Sequence, residues 1–559
     1  MTLLGRHVPI SIWSPVAYLW QDVFVALLFF IADARLKRPR VAWAMYAALV
    51  AYVALNVPVT RVLSTPLTWT MLRAARGPLA DAVLHYVTFG NLVTLAIPLA
   101  VGVILPLALA RRRVEPGPGV LVAALVVVVV GPFAASRVDT RGLHRNAFGA
   151  LAATSVSRLA AVGGSDDWRA SPFDARDGED LSALRGSLRG RNVVLIILES
   201  TGARHLGLYG GVPDPTPSLT ALARQAIVFE RAYAVYPESI KGLFATLCSR
   251  YPAFDTAPEV YADVPCASLA ATLADAGYRT ALFHSGRFMY LGMMSVIDRR
   301  GFDVMEDAGA IGGRVDSSFG VDDESTVARA LRWIDSPGPG NPFFITYLPT
   351  SGHNPYVTSA PGPFRNDEDF WRYMNALHEG DGALGVLVDG LRARHLEGNT
   401  VFIVFGDHGE AFGEHPGNFA HTLFVHEENV RVPFVIAAPG AIPALKVRRI
   451  ASVVDAAPTI LDLLGLPAQA GHQGSSLLGP ESRMALFYTD YSIGWLGLAD
   501  GCWKYLYEID SRRSRLFDVC ADPGETRDRA VDYPERVTFY RDRVVAWAAA
   551  QKDLVRRRQ

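Results

Sequence analysis

The chain has 559 residues, half of them hydrophobic, and 54 basic residues nearly cancel 55 acidic ones, for a formal net charge of -1. That length exceeds what one compact core takes, so two or more domains are expected, and the composition is not that of a disordered protein. With no global field to attract nucleic acid, and with its basic clusters lying beside apolar segments rather than along a groove, the chain is not read as a nucleic-acid binder.

Four apolar segments come first, roughly Ile12–Ala32, Val41–Val59, Val87–Ala110 and Val120–Ala135, each near the ~20 residues that cross a bilayer as a helix. The first is too long for a signal-peptide core, carries Asp22 and runs into another span rather than a cleavage site, so a transmembrane bundle is expected over 1–136. Asp22 is then best explained by pairing with another helix. Basic residues crowd the short loops Arg35-Leu36-Lys37-Arg38-Pro39-Arg40 and Arg111-Arg112-Arg113, and the positive-inside bias places both on the cytoplasmic side. The N-terminus, the Thr60–His85 loop and everything after Ser136 then lie outside. Arg61, Arg73 and Arg76 run against that bias, and an interfacial amphipathic helix around Leu67–Leu79 accommodates them.

A stretch from 137 to 190, rich in Arg, Asp, Ser and Gly, reads as a connecting segment with room for one short helix. From Asn192 the texture becomes short apolar runs, Val193–Leu198, Thr280–Phe283, Phe343–Leu348, Thr400–Phe405 and Pro433–Ala437, alternating with helical stretches such as Leu219–Ala226, Ala267–Ala276, Asp323–Ile334 and Asp381–Arg392. That alternation predicts an α/β core over 191–468 with a largely parallel sheet covered on both faces. Beyond Gly465-Leu466-Pro467, the runs Leu486–Tyr488, Trp503–Glu508 and Leu516–Val519 predict a small antiparallel subdomain over 469–559, closed by a helix, Tyr533–Gln551. The four cysteines form two sequence-local pairs in the outer half, Cys248 with Cys266 and Cys502 with Cys520, which fits disulfides in an oxidising compartment; buried free thiols are the alternative.

Ligands of open α/β sheets gather at the carboxyl ends of the strands. Three runs end in polar residues: the first in Glu199-Ser200, the third in Pro349-Thr350-Ser351-Gly352-His353-Asn354-Pro355-Tyr356, and the fourth in Gly406-Asp407-His408-Gly409-Glu410. Any one of these is ordinarily a cap, a turn or a surface charge. Together Glu199, Asp407 and His408 make a mixed oxygen and nitrogen set, suited to zinc or manganese rather than calcium. Such a metal needs a nucleophile or an activated water. Ser239 is the candidate: Pro237 breaks the preceding segment, and Ser239 can cap a helix running to about Ser249, where the helix N-terminus, the metal and Lys241 would stabilise an alkoxide.

These residues resemble the sulfatases and the related lipoteichoic acid synthases and phosphoethanolamine or phosphoglycerol transferases of the alkaline phosphatase superfamily. The resemblance covers about Asn192 to Ala549. It rests on Asn192–Glu199, Asp214-Pro215-Thr216-Pro217-Ser218-Leu219, Thr246–Pro252 ending in Arg-Tyr-Pro, His353-Asn354-Pro355-Tyr356, Gly406–Glu410, His421 followed by Arg431-Val432-Pro433, Asp455–Pro467, and Leu516-Phe517-Asp518 with Asp522-Pro523-Gly524-Glu525. It implies a covalent Ser239 intermediate at a phosphoryl or sulfuryl centre, one divalent metal on Glu199, Ser239, Asp407 and His408, and His353 and His421 binding ester oxygens or protonating the leaving group, with Lys241 assisting.

Sulfatases that mature to formylglycine carry C/S-x-P-x-R, whereas Lys241 and Leu243 stand at those positions here, and the single Glu199 at the first strand end also resembles the head-group transferases. The resemblance therefore implies a membrane enzyme of bacterial inner-membrane type. It would move phosphoglycerol or phosphoethanolamine from a phospholipid donor to an envelope glycan or lipid acceptor. The alternatives are a sulfate- or phosphate-ester hydrolase on the same fold, and a catalytically dead anchored domain that binds glycans.

Overall fold

The computed structural model describes residues 10–36, 38–63, 65–74, 86–112, 117–163, 167–173, 179–314, 319–336 and 340–556. Lys37, Arg113 and the end of the expected Leu67–Leu79 helix lie outside these residues; the described part of that helix is Trp69–Ala74. The chain forms two compact units.

The first unit takes in the chain to Arg158 together with 413–419 and Tyr491–Ile493. Four of its helices are long and apolar enough to cross a membrane: α1 Ser14–Leu36, α2 Pro39–Leu63, α3 Phe89–Arg112 and α4 Pro118–Arg137. α1 packs along α4 and α2 along α3. Gly131 lets α1 approach, since a Cβ there would lie 2.3 Å from the Trp20 side chain. Most large apolar side chains of these helices are exposed, as expected of surfaces that face lipid. Asp22 is paired as expected: its Oδ1 accepts from Asn146 Nδ2 at 2.5 Å, and Gln21 Oε1 accepts from the Asn146 backbone N–H at 2.8 Å. Asn146 in turn caps a short helix, α5 Ala147–Ser155, through the Phe148 N–H.

In the second unit the main sheet runs β9-β2-β8-β6-β1-β5-β3-β4, with β7 also paired to β2. The strands are β1 Asn192–Leu198, β2 Ala226–Tyr233, β3 Arg279–His284, β4 Val304–Glu306, β5 Phe343–Leu348, β6 Thr400–Gly406, β7 Arg431–Val432, β8 Phe434–Ala437 and β9 Leu445–Ser452. Most neighbours are parallel, but β8 runs antiparallel to both β6 and β2. Side chains of β1 alternate between two cores, Val193, Leu195 and Ile197 on one face and Val194 and Ile196 on the other. That double burial explains its unbroken apolar run. A second sheet, β10 Ala485–Thr489, β11 Trp495–Asp500, β12 Trp503–Glu508 and β13 Arg513–Asp518, is antiparallel in chain order, and the helix Pro534–Arg556 follows it.

The 137–190 stretch is not a free tether. Its later part is built into the second unit: the Leu181 N–H donates to Leu478 O at 3.0 Å and the Leu188 N–H to Leu463 O at 3.0 Å. Arg169 is buried there, with NH2 donating to Asp455 Oδ2 at 2.8 Å and Nε to Met484 O at 2.8 Å. A polar composition concealed this because the buried arginine brings its own counter-charge.

Both cysteine pairs are bonded, each across 18 residues. Cys248 ends the helix that begins at Ser239, so this bridge ties the far end of that helix to the chain at Cys266. Replacing Cys248 and Cys266 by alanine is expected to lower stability by about 3 kcal/mol, from the entropy of the reopened loop. Thermal unfolding of the full chain in detergent checks this; an unchanged Tm would contradict it.

A candidate metal-assisted nucleophile site

Glu199 follows β1 directly, Asp407 and His408 follow β6, and β1 and β6 are parallel neighbours in register from Asn192 with Thr400 to Leu198 with Gly406. The sheet therefore delivers all three to one edge, where they are buried and their ligand atoms lie within 4.8 Å of one another. Ser200 sits at φ 52°, a left-handed conformation unusual for serine. In that turn its N–H donates to Asp407 Oδ1 at 2.9 Å and its hydroxyl to Glu199 Oε1 at 2.9 Å, tying the two loops together. Gly409 completes the second loop, because a Cβ there would meet Glu428 O at 2.1 Å.

Ser239 reaches this cluster from the start of α6, Ser239–Cys248, which follows β2. Its Oγ donates to Glu199 Oε2 at 2.9 Å and stands 3.5 Å from His408 Nε2. Ser239 is not the helix cap: Glu238 is, its carboxylate accepting from the N–H groups of Ile240 at 3.0 Å and Lys241 at 3.3 Å. A carboxylate outcompetes a hydroxyl for the helix N-terminus, and so the Ser239 hydroxyl is turned to Glu199 instead.

Two carboxylates and an imidazole crowded together out of water are poorly matched to one another alone. Burial first, and the Glu199 charge second, push Asp407 up to about 7, while His353, His408 and His421 hold Glu199 at about 2 against the effect of burial. Burial opposes charge on His408 too, but Asp407 and Glu199 raise it above the ordinary histidine value. A divalent cation suits this set, with Ser239 Oγ as a fourth donor beside Glu199, Asp407 and His408.

Because its folded value lies above the ordinary 3.8, the cation-free fold holds a proton on Asp407 that the unfolded chain has released. That contribution to stability is full below about 4 and is lost as pH rises through about 7. For the same reason a proton competes with a cation at Asp407. Affinity for a divalent ion is expected to weaken as pH falls below about 7, as titration calorimetry on either side of that value would show; a pH-independent affinity would contradict it.

The other expected residues divide. His421 lies beside His408, ring centroids 4.2 Å apart, and 6.4 Å from the His353 ring. Its Nδ1 contacts Glu410 Oε2 at 2.6 Å, and Glu410 Oε1 accepts from the Tyr356 hydroxyl at 2.6 Å. His353 Nδ1 lies 2.6 Å from Asn354 O, a carbonyl that can only accept, so Nδ1 donates there and the Nε2 edge of the ring is not used by that bond. Lys241 is placed otherwise: its ammonium is buried on Asp490, 2.7 and 3.0 Å from the two oxygens, and 4.6 Å from the centre of the Tyr236 ring.

Sequence reasoning gave Glu410 no role, although it stands in the Gly406–Glu410 motif. Fully buried, it fixes the tautomer and orientation of His421. Glu410→Gln is expected to lower kcat roughly 10–100-fold with KM little changed, measured as steady-state turnover; a change confined to KM would count against an orienting role. His284 was also passed over. It ends β3, buried, with Nδ1 3.0 Å from Leu348 O, and burial lowers its pKa. The rule applied to the other strand ends would have found it, since it directly follows the run Thr280–Phe283.

Residues 191–466 match the family model described as Sulfatase. The chain thus carries a domain that the Sulfatase family model matches, as its motifs indicated, over just under half of its length. It is 30% identical to human arylsulfatase K over 220 residues, 35% of this chain and 40% of that one, so the match spans about two fifths of the curated relative. It is 23% identical to an N-acetylgalactosamine-6-O-sulfatase from Bacteroides thetaiotaomicron over 468 residues, 62% of this chain and 91% of that one. In fold it is similar to a protein in the alkaline phosphatase superfamily from Vibrio parahaemolyticus, with a TM-score of 0.57, 22% identity, and 70% and 94% of the two chains covered. It is also similar to the lipoteichoic acid synthase LtaP from Listeria monocytogenes, with a TM-score of 0.53, 17% identity, and 68% and 96% covered.

Proposed function

We propose that the chain is a membrane-anchored head-group transferase that moves phosphoglycerol or phosphoethanolamine from a phospholipid to an envelope glycan or lipid acceptor through a covalent bond to Ser239. One observation carries the reading: the Ser239 hydroxyl at a helix N-terminus, 2.9 Å from Glu199 Oε2 and 3.5 Å from His408 Nε2. Leu243 occupies the position where the formylglycine sulfatase pattern has arginine. Four apolar helices in the same chain agree with a donor drawn from the bilayer, with the second unit on the extracytoplasmic side of a bacterial-type plasma membrane.

In the first half-reaction Ser239 Oγ, entering as the alkoxide with its proton already released to water, bonds to phosphorus as the bond from phosphorus to the diacylglycerol oxygen breaks. That oxygen takes a proton from His421, which Glu410 holds in place through Nδ1. The acceptor hydroxyl then attacks phosphorus, gives its proton to the same imidazole and releases Ser239. His353, through its ring edge, orients the non-bridging oxygens. A divalent cation held by Glu199, Asp407, His408 and Ser239 Oγ, zinc or manganese by its donor set, would ionise the serine and offset charge on the phosphoryl oxygens.

A second reading, hydrolysis of a sulfate or phosphate ester with water as the acceptor, is favoured by the sequence match to arylsulfatase K and N-acetylgalactosamine-6-O-sulfatase. Turnover by the full chain in detergent with manganese or zinc separates the two. Release of diacylglycerol from phosphatidylglycerol or phosphatidylethanolamine, in step with acceptor labelling, supports transfer; turnover of aryl sulfates alone supports hydrolysis and contradicts it.

A further inference from the structure

Behind the reacting side chains, the short helix Glu427–Val430 borders the chain beside Ser239, His408 and His421. Gly409, the residue after His408, donates its N–H to Asn429 O at 2.8 Å, and its own carbonyl lies 3.0 Å from His408 Nδ1. A carbonyl only accepts, so Nδ1 donates there and His408 Nε2 is the nitrogen presented to Ser239 Oγ. Val430 O accepts the Ala234 N–H at 2.8 Å, on the stretch that runs from β2 to Ser239. The Asn429 side chain takes the third arm: Nδ2 donates to Ala420 O at 3.2 Å and to His421 O at 3.4 Å.

Those two carbonyls matter because of the backbone between them. Ala420 sits at φ 62°, a left-handed conformation that alanine keeps only where its surroundings impose it. With a donor on its own carbonyl and on the next, the turn is held, and the His421 ring is set 4.2 Å from the His408 ring with Nδ1 on Glu410. Asn429 has no exposure to water, so solvent does not compete for its amide. The helix is fixed in turn from the second sheet. Glu525 Oε2 accepts from the Glu427 N–H at 2.9 Å and lies 3.0 Å from His426 Nδ1. Lys504 Nζ, on β12, stands 3.0 Å from Glu525 Oε1 and 3.1 Å from Glu427 Oε1. Lys504 and Glu525 are both buried, and charges so placed are costly to separate, which makes the helix a firm reference for the loops it touches.

We propose that Asn429 is a positioning residue: its side-chain amide holds the turn at Ala420 and His421, and with it keeps the His421 imidazole in place beside His408 and Ser239. The proposal rests on the reading of His421 as the proton carrier of the site, and it holds for a transferase and for an ester hydrolase alike.

The test is a double-mutant cycle on the full chain in detergent with manganese, comparing wild type, Asn429→Ala, His421→Ala and the double variant. Turnover is measured on phosphatidylglycerol and on an alkyl sulfate, whose alkoxide leaving groups both need a proton, and manganese affinity by titration calorimetry. Asn429→Ala is expected to lower kcat roughly 10–100-fold, with KM changed less than about threefold. Manganese affinity should stay within about threefold of wild type, because the bond from the Gly409 N–H to Asn429 O survives the substitution. In the His421→Ala background the same change should cost less than about twofold. Asn429→Leu, which keeps the volume but not the donor, should match Asn429→Ala. Turnover of the alkyl sulfate alone would count against the transferase reading and leave this cycle complete. Losses that multiply in the double variant, manganese affinity lost along with turnover, or wild-type kcat in Asn429→Ala or Asn429→Leu would each overturn the proposal.

Discussion

Replacing Ser239 by alanine is expected to lower turnover by at least about a thousandfold while leaving the fold and the cation ligands Glu199, Asp407 and His408 in place. Removing a nucleophile forfeits the covalent route, and what remains is the electrostatic and positioning contribution of the site, which alone supports only a small residual rate. The hydroxyl makes one short hydrogen bond, to Glu199 Oε2 at 2.9 Å, so its loss removes little packing and Tm should move by no more than a surface substitution does. Ser239→Thr keeps a hydroxyl at the helix N-terminus and should retain part of the activity. Steady-state turnover on any ester the wild type accepts is the measurement. Near wild-type activity in Ser239→Ala would mean that an activated water attacks directly.

The largest structural effect is expected at Asp455. Its side chain takes the Arg169 guanidinium through both NH1 and NH2, accepts from the Ser452 N–H at 3.0 Å and from the Ser475 N–H at 2.8 Å, and has no exposure to water. Arg169, itself buried, is pushed to a higher pKa by Asp455, which outweighs the opposing effect of burial. Asp455→Asn keeps the shape and removes the charge, leaving a guanidinium buried without its counter-ion at a cost of about 3–5 kcal/mol. Because Asp455 joins the segment around Arg169 to the start of the helix Ala456–Leu463, the loss should appear as a lowered Tm of the second unit. Arg169→Met/Asp455→Leu removes both charges and should recover part of it. An Asp455→Asn protein as stable as wild type would show that the pair is not coupled in this way.

The site was more legible than the sheet that carries it. Glu199, Asp407 and His408 follow unbroken apolar runs, and a strand buried on both faces announces itself by such a run. Phe343–Leu348 was read to the residue, and Thr400–Phe405 fell one short. By contrast β2, Ala226–Tyr233, was missed because Glu230 and Arg231 interrupt it, and β9, Leu445–Ser452, because Lys446, Arg448 and Arg449 do. On the edge strand β9, Lys446 and Arg448 are exposed to water while Arg449 is buried, donating to the carbonyls of Glu179 and Leu477. The antiparallel sense of β8 depends on the path of the chain around Arg431-Val432-Pro433, which no periodicity encodes.

The long helix Asp369–Ala393 was seen only from Asp381. Its first half carries Glu379, Gly380 and a buried Asp381 that takes the N–H groups of Ser218 at 2.7 Å and Leu219 at 2.9 Å, a tertiary role that breaks the apolar pattern. Lys241 shows the opposite limit. A lysine two residues from the nucleophile reads as catalytic in one dimension, yet the structure gives it to Asp490, about 250 residues away in the chain.

The central claim is that Ser239 becomes covalently loaded with a phospholipid head group. Intact-mass analysis of the full chain in detergent, with manganese or zinc and micelles of phosphatidylglycerol or phosphatidylethanolamine, tests it most directly. The account predicts an added mass equal to phosphoglycerol or phosphoethanolamine, present in the wild type, absent in Ser239→Ala and absent after chelation of the metal. No adduct with either lipid, alongside Ser239-dependent cleavage of an aryl sulfate, would contradict the transferase reading and leave the chain an ester hydrolase.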